Sequence, residues 1–173
     1  MRVPYTVLEQ AKVKVPDWSR EKPNRFWDPS RKLLLSIRRY QHWFNKPGIL
    51  ARYIRKLVVL RYRFWSVVTA SDIPVTVQLG GGLLLPHPNG VVMHPKVKIG
   101  INCLIHQQVT IGTKEDGGAG VPVIEDHVKI YAGAKIIGPI RVGAHATIGA
   151  NTVVVADVPQ YATVVATSVR RIR

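Results

Sequence analysis

Aliphatic residues recur every six positions through the second half of this chain. The series runs Ile73, Leu79, Leu85, then Met93, Ile99, Ile105 and Ile111, and resumes at Ile124, Ile130, Ile136, Val142, Ile148 and Val154. The register slips twice: eight residues separate Leu85 from Met93, and thirteen separate Ile111 from Ile124, so two and seven residues are extra there. A period of six fits neither a lone helix nor a meander of alternating strands. It fits short strands joined by tight corners, three strands to a triangular coil of about 18 residues, with each aliphatic side chain pointing into the prism.

The flanking residues repeat as well. Glycine follows the aliphatic position at Gly80, Gly100, Gly112, Gly143 and Gly149, and a small or aliphatic residue stands four places after it at Cys103, Val109, Val128, Ala134, Ile140, Ala146 and Thr152. Small residues let a corner close, and glycine tolerates unusual φ there. One coil cannot bury a core, but about five stacked coils can. The expected fold is therefore mainly β, a parallel β-helix of about five coils over residues 71–165, with a loop at 113–123 and a basic C-terminal tail at 166–173.

Upstream, the pattern changes. Residues 1–29 contain Pro4, Pro16, Pro23 and Pro29 with no sustained periodicity. They read as an extended segment that wraps over the rest. Residues 30–70 read as a short helical region. Ser30 is placed to cap RKLLLSIRRYQHWF, Pro47-Gly48 breaks it, and a second helix runs from about Ile49 to Val68. In the second helix Leu50, Tyr53, Ile54, Leu57, Val58, Phe64, Trp65 and Val68 suit one broad apolar face, with Arg52, Arg55, Lys56, Arg61 and Arg63 mostly elsewhere. Such a face packs on a core or a partner subunit. Its basic, aromatic character also suits a peripheral membrane contact through helices 30–68.

The net charge of +15 is uneven: residues 1–71 hold 16 Lys/Arg against 4 Asp/Glu, and residues 72–173 hold 9 against 6. No nucleic-acid motif or stacking platform accompanies the basic region, so no nucleic-acid partner is expected. No apolar run reaches the roughly 18–20 residues of a membrane span. The start, MRVPYTVLEQAKVKVPDW, does not read as a signal peptide. With Cys103 as the single cysteine, a cytoplasmic location is expected, at the inner face of the membrane if the basic helices bind there.

The repeats resemble those of the hexapeptide-repeat acyltransferases, and residues 71–165 resemble the serine O-acetyltransferase branch. The segments that carry the likeness are SDIP at 71–74, GGGLLLPHPNGVVMHP at 80–95, HQQVTIGT at 106–113, IYAGAKIIGPIRVGAHATIGANTVV at 130–154 and DVP at 157–159. The resemblance implies a left-handed coil, a homotrimer with active sites between subunits, and acetyl-CoA as co-substrate. It also implies a catalytic pair: His87, in Leu85-Pro86-His87-Pro88-Asn89-Gly90, and Asp72, in Ser71-Asp72-Ile73-Pro74. The positions that match the family's CoA contacts are Gly112, Thr113, Ala132, Gly133 and Ala150. Arg170, Arg171 and Arg173 either meet the CoA phosphates or form a solvated tail.

Acetyl transfer from a thioester needs positioning, a base and charge stabilisation. Neutral imidazole is a suitable base near pH 7. His87 would take the acceptor hydroxyl proton and Asp72 would orient the ring, with no metal required. Two departures from the serine-using members bear on the acceptor. Gly120-Val121 stands where those members carry an Arg-His pair, and Pro86 replaces an acidic residue before the histidine. They favour a sugar hydroxyl in polysaccharide biosynthesis over the alternative, L-serine. His94, His106, His127 and His145 raise a second class, a zinc-dependent gamma-class carbonic anhydrase, although His106 is assigned to a subunit contact. A non-catalytic scaffold is the third class.

Overall fold

The computed structural model describes residues 15–114 and 120–166. Twelve short strands form three parallel walls. Wall A stacks β2 (Val92–Met93), β5 (Thr110–Gly112), β8 (Lys135–Ile137) and β11 (Val153–Val154). Wall B stacks β1 (Gln78–Leu79), β3 (Lys98–Ile99), β6 (Val123–Ile124) and β9 (Arg141–Val142). Wall C stacks β4 (Leu104–Ile105), β7 (Lys129–Ile130), β10 (Thr147–Ile148) and β12 (Thr163–Val164). Isolated bridges add one rung to each wall: Asp72 to Val92, Val142 to Val158, and Leu84 to Leu104. The chain runs A, B, C and back to A, completing five coils of a parallel β-helix.

The six-residue series is the core. All thirteen of its residues are buried, and they stack on one another: Met93 pairs with Ile111, Ile111 with Ile136, and Ile136 with Val154. The positions two before each are buried too, from Val77 and Leu83 through Cys103, Val109 and Val128 to Ala146. They are thus a second inward-facing set as well as corner fillers. Burial pushes the Cys103 thiol up to about 12, and its Sγ lies 3.1 Å from the Glu125 carbonyl.

Two constraints shape the corners. Corner B–C turns through the left-handed region at Gly82, Asn102, His127, His145 and Tyr161, and corner C–A does so at Gly90, Gln108, Gly133 and Asn151. Asparagine, histidine and glutamine thus do what glycine does elsewhere in the repeat. Other glycines are needed for proximity. A Cβ on Gly80 would sit 2.4 Å from the Gly100 carbonyl carbon, and one on Gly100 2.5 Å from that of Glu125. Gly112 differs: a Cβ there meets nothing within 4 Å.

Two helices close the first coil, α1 (Pro29–Phe44) and α2 (Ile49–Thr69). Ser30 does not cap α1. Asp28 holds the N-cap position without a side-chain bond to the first amides of the helix, and the Ser30 hydroxyl donates to the Leu85 carbonyl at 2.5 Å. Leu33, Leu34 and Ile37 of α1 join the prism core. Arg38 donates two bonds to the buried Glu21 carboxylate, and further bonds to the carbonyls of Leu79 and Gly80 at 2.6 and 2.7 Å. Glu21 in turn accepts from the Leu83 amide at 3.0 Å. These bonds satisfy backbone groups at the open edge of the first coil. Residues 15–28 run against corner B–C, where Asn102 bonds to the Asp17 amide and the Val15 carbonyl at 2.7 and 2.9 Å.

The broad apolar face expected on α2 is divided. Val58 and Trp65 are buried with Ala51 and Thr69, whereas Leu50, Tyr53, Leu57, Phe64 and Val68 are exposed. The inner face is too narrow to bury the whole stripe.

Because Gly100 touches backbone, Gly100→Ala forces neighbouring coils apart. It should lower stability by about 1–3 kcal/mol in urea unfolding, whereas Gly112→Ala should leave the midpoint unchanged.

Candidate active site

His87 lies on corner C–A, in the first register slip. Its loop is pinned at the end: the Gly90 amide donates to the Ala70 carbonyl at 2.8 Å, and the Asp72 amide to the Val91 carbonyl at 2.8 Å. These bonds set the loop beside the strand that carries Asp72. Both side chains are exposed, and no hydrogen bond joins them in this structure. Asp72 also faces α2. Burial raises the Tyr62 phenol above its usual value, and the Asp72 carboxylate adds to that shift.

From His87 a ladder of corner bonds runs up the same edge. The Gln108 amide donates to the Asn89 carbonyl at 2.9 Å, the Gly133 amide to Gln107 at 3.0 Å, and the Asn151 amide to Ala132 at 2.8 Å. Ala132, Gly133 and Ala150 therefore share one edge with His87. So does His106, whose ring lies 6.4 Å from that of His87 and stacks on Tyr131 at 5.3 Å. The Gln108 side-chain amide donates to Asn89 Oδ1 at 3.1 Å, and the Lys135 ammonium donates to the Gln108 carbonyl at 2.6 Å. Gln107 Oε1 is buried on this edge without a hydrogen-bond partner. A buried acceptor of this kind calls for a donor from water or ligand.

Gly112 and Thr113 are elsewhere. Gly112 ends β5 and Thr113 follows it, at the start of corner A–B, where the Gly112 carbonyl accepts from the Gly138 amide at 2.9 Å. Wall A separates them from Ala132, Gly133 and Ala150, so one chain does not gather all five positions on one edge. Arg170, Arg171 and Arg173 lie outside the described residues. The other histidines also part company. His94 starts corner A–B, His106 is on corner C–A, and His127 and His145 stack at 4.8 Å on corner B–C. Among the described residues, no group of three or more His, Cys, Asp or Glu side chains is arranged to hold a metal ion.

The family pattern described as bacterial transferase hexapeptide (six repeats) matches residues 122–156, within the third to fifth coils. Residues 122–156 of this β-helix thus carry the repeats of the hexapeptide transferases. The chain is similar to serine acetyltransferases. It is 41% identical to the one from Staphylococcus xylosus over 122 residues, which are 70% of this chain and 53% of the relative. It is 36% identical to that of Mycobacterium tuberculosis over 128 residues, 73% of this chain and 54% of the relative. A serine acetyltransferase structure in complex with CoA superposes with a TM-score of 0.67 at 30% identity, covering 84% of this chain and 57% of that one. The enzyme from Neisseria gonorrhoeae, in complex with serine, superposes with a TM-score of 0.62 at 34% identity, covering 83% and 55%. The chain thus spans a little over half the length of these relatives. The likeness fixes the hand of the coil as left-handed. It gives no backing to a role in polysaccharide synthesis, because the relatives are serine acetyltransferases.

The resemblance of its segment singled out His87, but the repeats hid Gln107, Gln108, Tyr131 and Lys135. These occupy ordinary repeat positions, and only stacking brings them to one edge.

On corner B–C, His145 stacks between His127 and Tyr161. Burial, then the His127 and Lys129 charges, hold it below the usual imidazole value of 6.5, against an opposing pull from Asp126. The unfolded chain therefore takes up this proton more readily than the fold does. His145's contribution to stability should be intact above pH 6.5 and lost as the pH falls below it. His145→Asn keeps a residue suited to the left-handed region, so its melting temperature should drop less than that of the parent between neutral and mildly acidic pH.

Proposed function

We propose that this chain is an acetyl-CoA-dependent O-acetyltransferase whose general base is His87. The observation that carries this reading is the bonded ladder along corner C–A, which sets the His87 loop in line with Ala132, Gly133 and Ala150. The similarity to serine acetyltransferases, one of them in complex with CoA, supports the same donor.

In the reaction, His87 accepts the proton of the acceptor hydroxyl as its oxygen attacks the thioester carbonyl carbon. The carbon–sulfur bond then breaks, and the imidazolium returns the proton to the departing thiolate. No covalent acetyl-enzyme forms. Asp72 is the positioning residue. Its backbone is fixed by the Val92 bridge, and rotation of two exposed side chains brings carboxylate and imidazole together when substrate fills the site. The carboxylate then fixes the tautomer that presents a bare nitrogen to the hydroxyl.

The division of CoA-contact positions between two corners favours a groove shared by neighbouring copies, with Ala132, Gly133 and Ala150 from one and Gly112 and Thr113 from the next. A homotrimer supplies three such grooves. The open space at Gly112 is consistent with this. No packing inside the chain demands a glycine there, whereas a pantetheine arm running along the backbone does.

For the acceptor, the names of the relatives favour L-serine, and this reading takes precedence. A sugar hydroxyl is the second reading. Pro86 beside His87 and Gly120-Val121 in the long loop supply no charge for the ammonium and carboxylate of an amino acid.

Thiol release from acetyl-CoA in the presence of L-serine or a panel of sugars tests both readings. His87→Ala should reduce kcat by about 10²- to 10⁴-fold while leaving the fold intact, and Asp72→Asn should reduce it less. Gly112→Ala should raise the KM for acetyl-CoA at unchanged stability. Full activity in a folded His87→Ala protein would remove the assignment.

A further inference from the structure

The outer face of α2 carries six large exposed side chains in a row. Leu50, Tyr53, Leu57, Leu60, Phe64 and Val67 follow one another in alternating steps of three and four residues, which keeps them on one side of the helix. They are 71, 62, 67, 67, 54 and 80% exposed, and the row is about 26 Å long. The opposite side of α2, with Ala51, Val58 and Trp65, is the one buried on the protein. The row is flanked by cations. Arg52, Lys56 and Arg63 line one margin and Arg61 the other, and α2 contains no acidic residue. The patch does not stop at the helix. Phe64 and Trp27 both contact Trp65 edge-on, at 4.9 and 5.5 Å, and Trp27 and Phe26 are exposed at 59 and 90%. Lys32 sits over the rings of both Phe26 and Trp65, at 4.9 and 5.3 Å.

We infer that this face of α2 docks on an anionic lipid surface. Charge decides between the possible occupants. A second copy of α2 would set four flanking cations against four with no carboxylate to pair them, whereas helix pairs of this spacing are flanked by opposite charges. Anionic headgroups supply the missing charge to every flanking Arg and Lys, while the apolar row enters the boundary of the acyl chains. Long basic side chains at the margins reach back to the headgroups. The spread of aromatic rings beyond α2 onto Phe26 and Trp27 suits a flat surface better than a single partner helix. No helix of the described residues is long and apolar enough to cross the membrane, so α2 lies along the surface. This inference stands apart from the acyl-transfer chemistry.

The test is flotation of the full chain with phosphatidylcholine vesicles, with and without one quarter phosphatidylglycerol, alongside light scattering of the lipid-free protein. The chain should float with the anionic vesicles only, and salt should release it. Arg52→Gln/Lys56→Gln/Arg63→Gln should weaken the partitioning on the order of a hundredfold. Leu57→Glu/Phe64→Glu should abolish it. Neither variant should change the mass of the lipid-free protein. No flotation of the parent, equal flotation on neutral vesicles, or unaltered flotation of both folded variants would overturn the inference. So would a fall in mass to a smaller assembly on substitution, which would mean that the row is buried between copies of the chain.

Discussion

Each coil is held to the next by backbone hydrogen bonds at the same position in every turn. On wall B the column runs from Gly80 to Ile99 at 2.7 Å, Gly100 to Ile124 at 2.8 Å, Glu125 to Val142 at 2.9 Å and Gly143 to Val158 at 2.8 Å. A Cβ at Gly80, Gly100 or Gly143 would enter the backbone of the coil above. The stack therefore tolerates little variation in spacing. The aliphatic core follows from it, since each inward side chain rests on its counterpart one turn away. The same rigidity leaves the first coil with a problem, because nothing of the β-helix lies beneath it. Arg38, Glu21, Gln41 and Tyr62 supply partners for its backbone at Leu79, Gly80, Leu83, Val77 and Ile73. The helical region is thus the end cap of the solenoid, and the solenoid needs it.

The β-helix was legible because its rule is arithmetic. A side chain buried every six residues leaves a periodic trace, and the two slips in that trace, after Leu85 and after Ile111, are the two loops. The helices were legible as elements but not as surfaces. Composition marks Leu57 and Phe64 as apolar without saying which side of α2 meets the protein, and that depends on how α1 and the first coil leave room for it. Ser30 shows the same limit. A hydroxyl at a helix start reads as a cap, yet α1 begins one residue earlier, at Pro29, and the Ser30 hydroxyl donates to a tertiary acceptor, the Leu85 carbonyl.

The candidate site was legible through resemblance: His87 and Asp72 are proposed from the segments Leu85-Pro86-His87-Pro88-Asn89-Gly90 and Ser71-Asp72-Ile73-Pro74, the first of which spans the slip after Leu85. The rest of the edge was not. Asn89, Gln107, Gly133 and Asn151 are distant in sequence and meet only because the coils stack in register. Gly112 illustrates the converse. In the sequence it is one more repeat glycine; in the structure it alone of the glycines that follow the six-residue series has open space where a side chain would be.

A stack of this kind is also a ruler. Neighbouring strands in a wall are about 4.8 Å apart, so positions along corner C–A fall on a scale graduated in those steps. From the His87 turn to the Ala150 turn is three steps, or about 14 Å. Insertion or loss of one whole coil would preserve every bond in the stack and move that interval by a full graduation. The reach from the base to the far end of the edge is therefore quantised. Evolution can alter it only in units of about 18 residues, while point changes are left to tune what lines it.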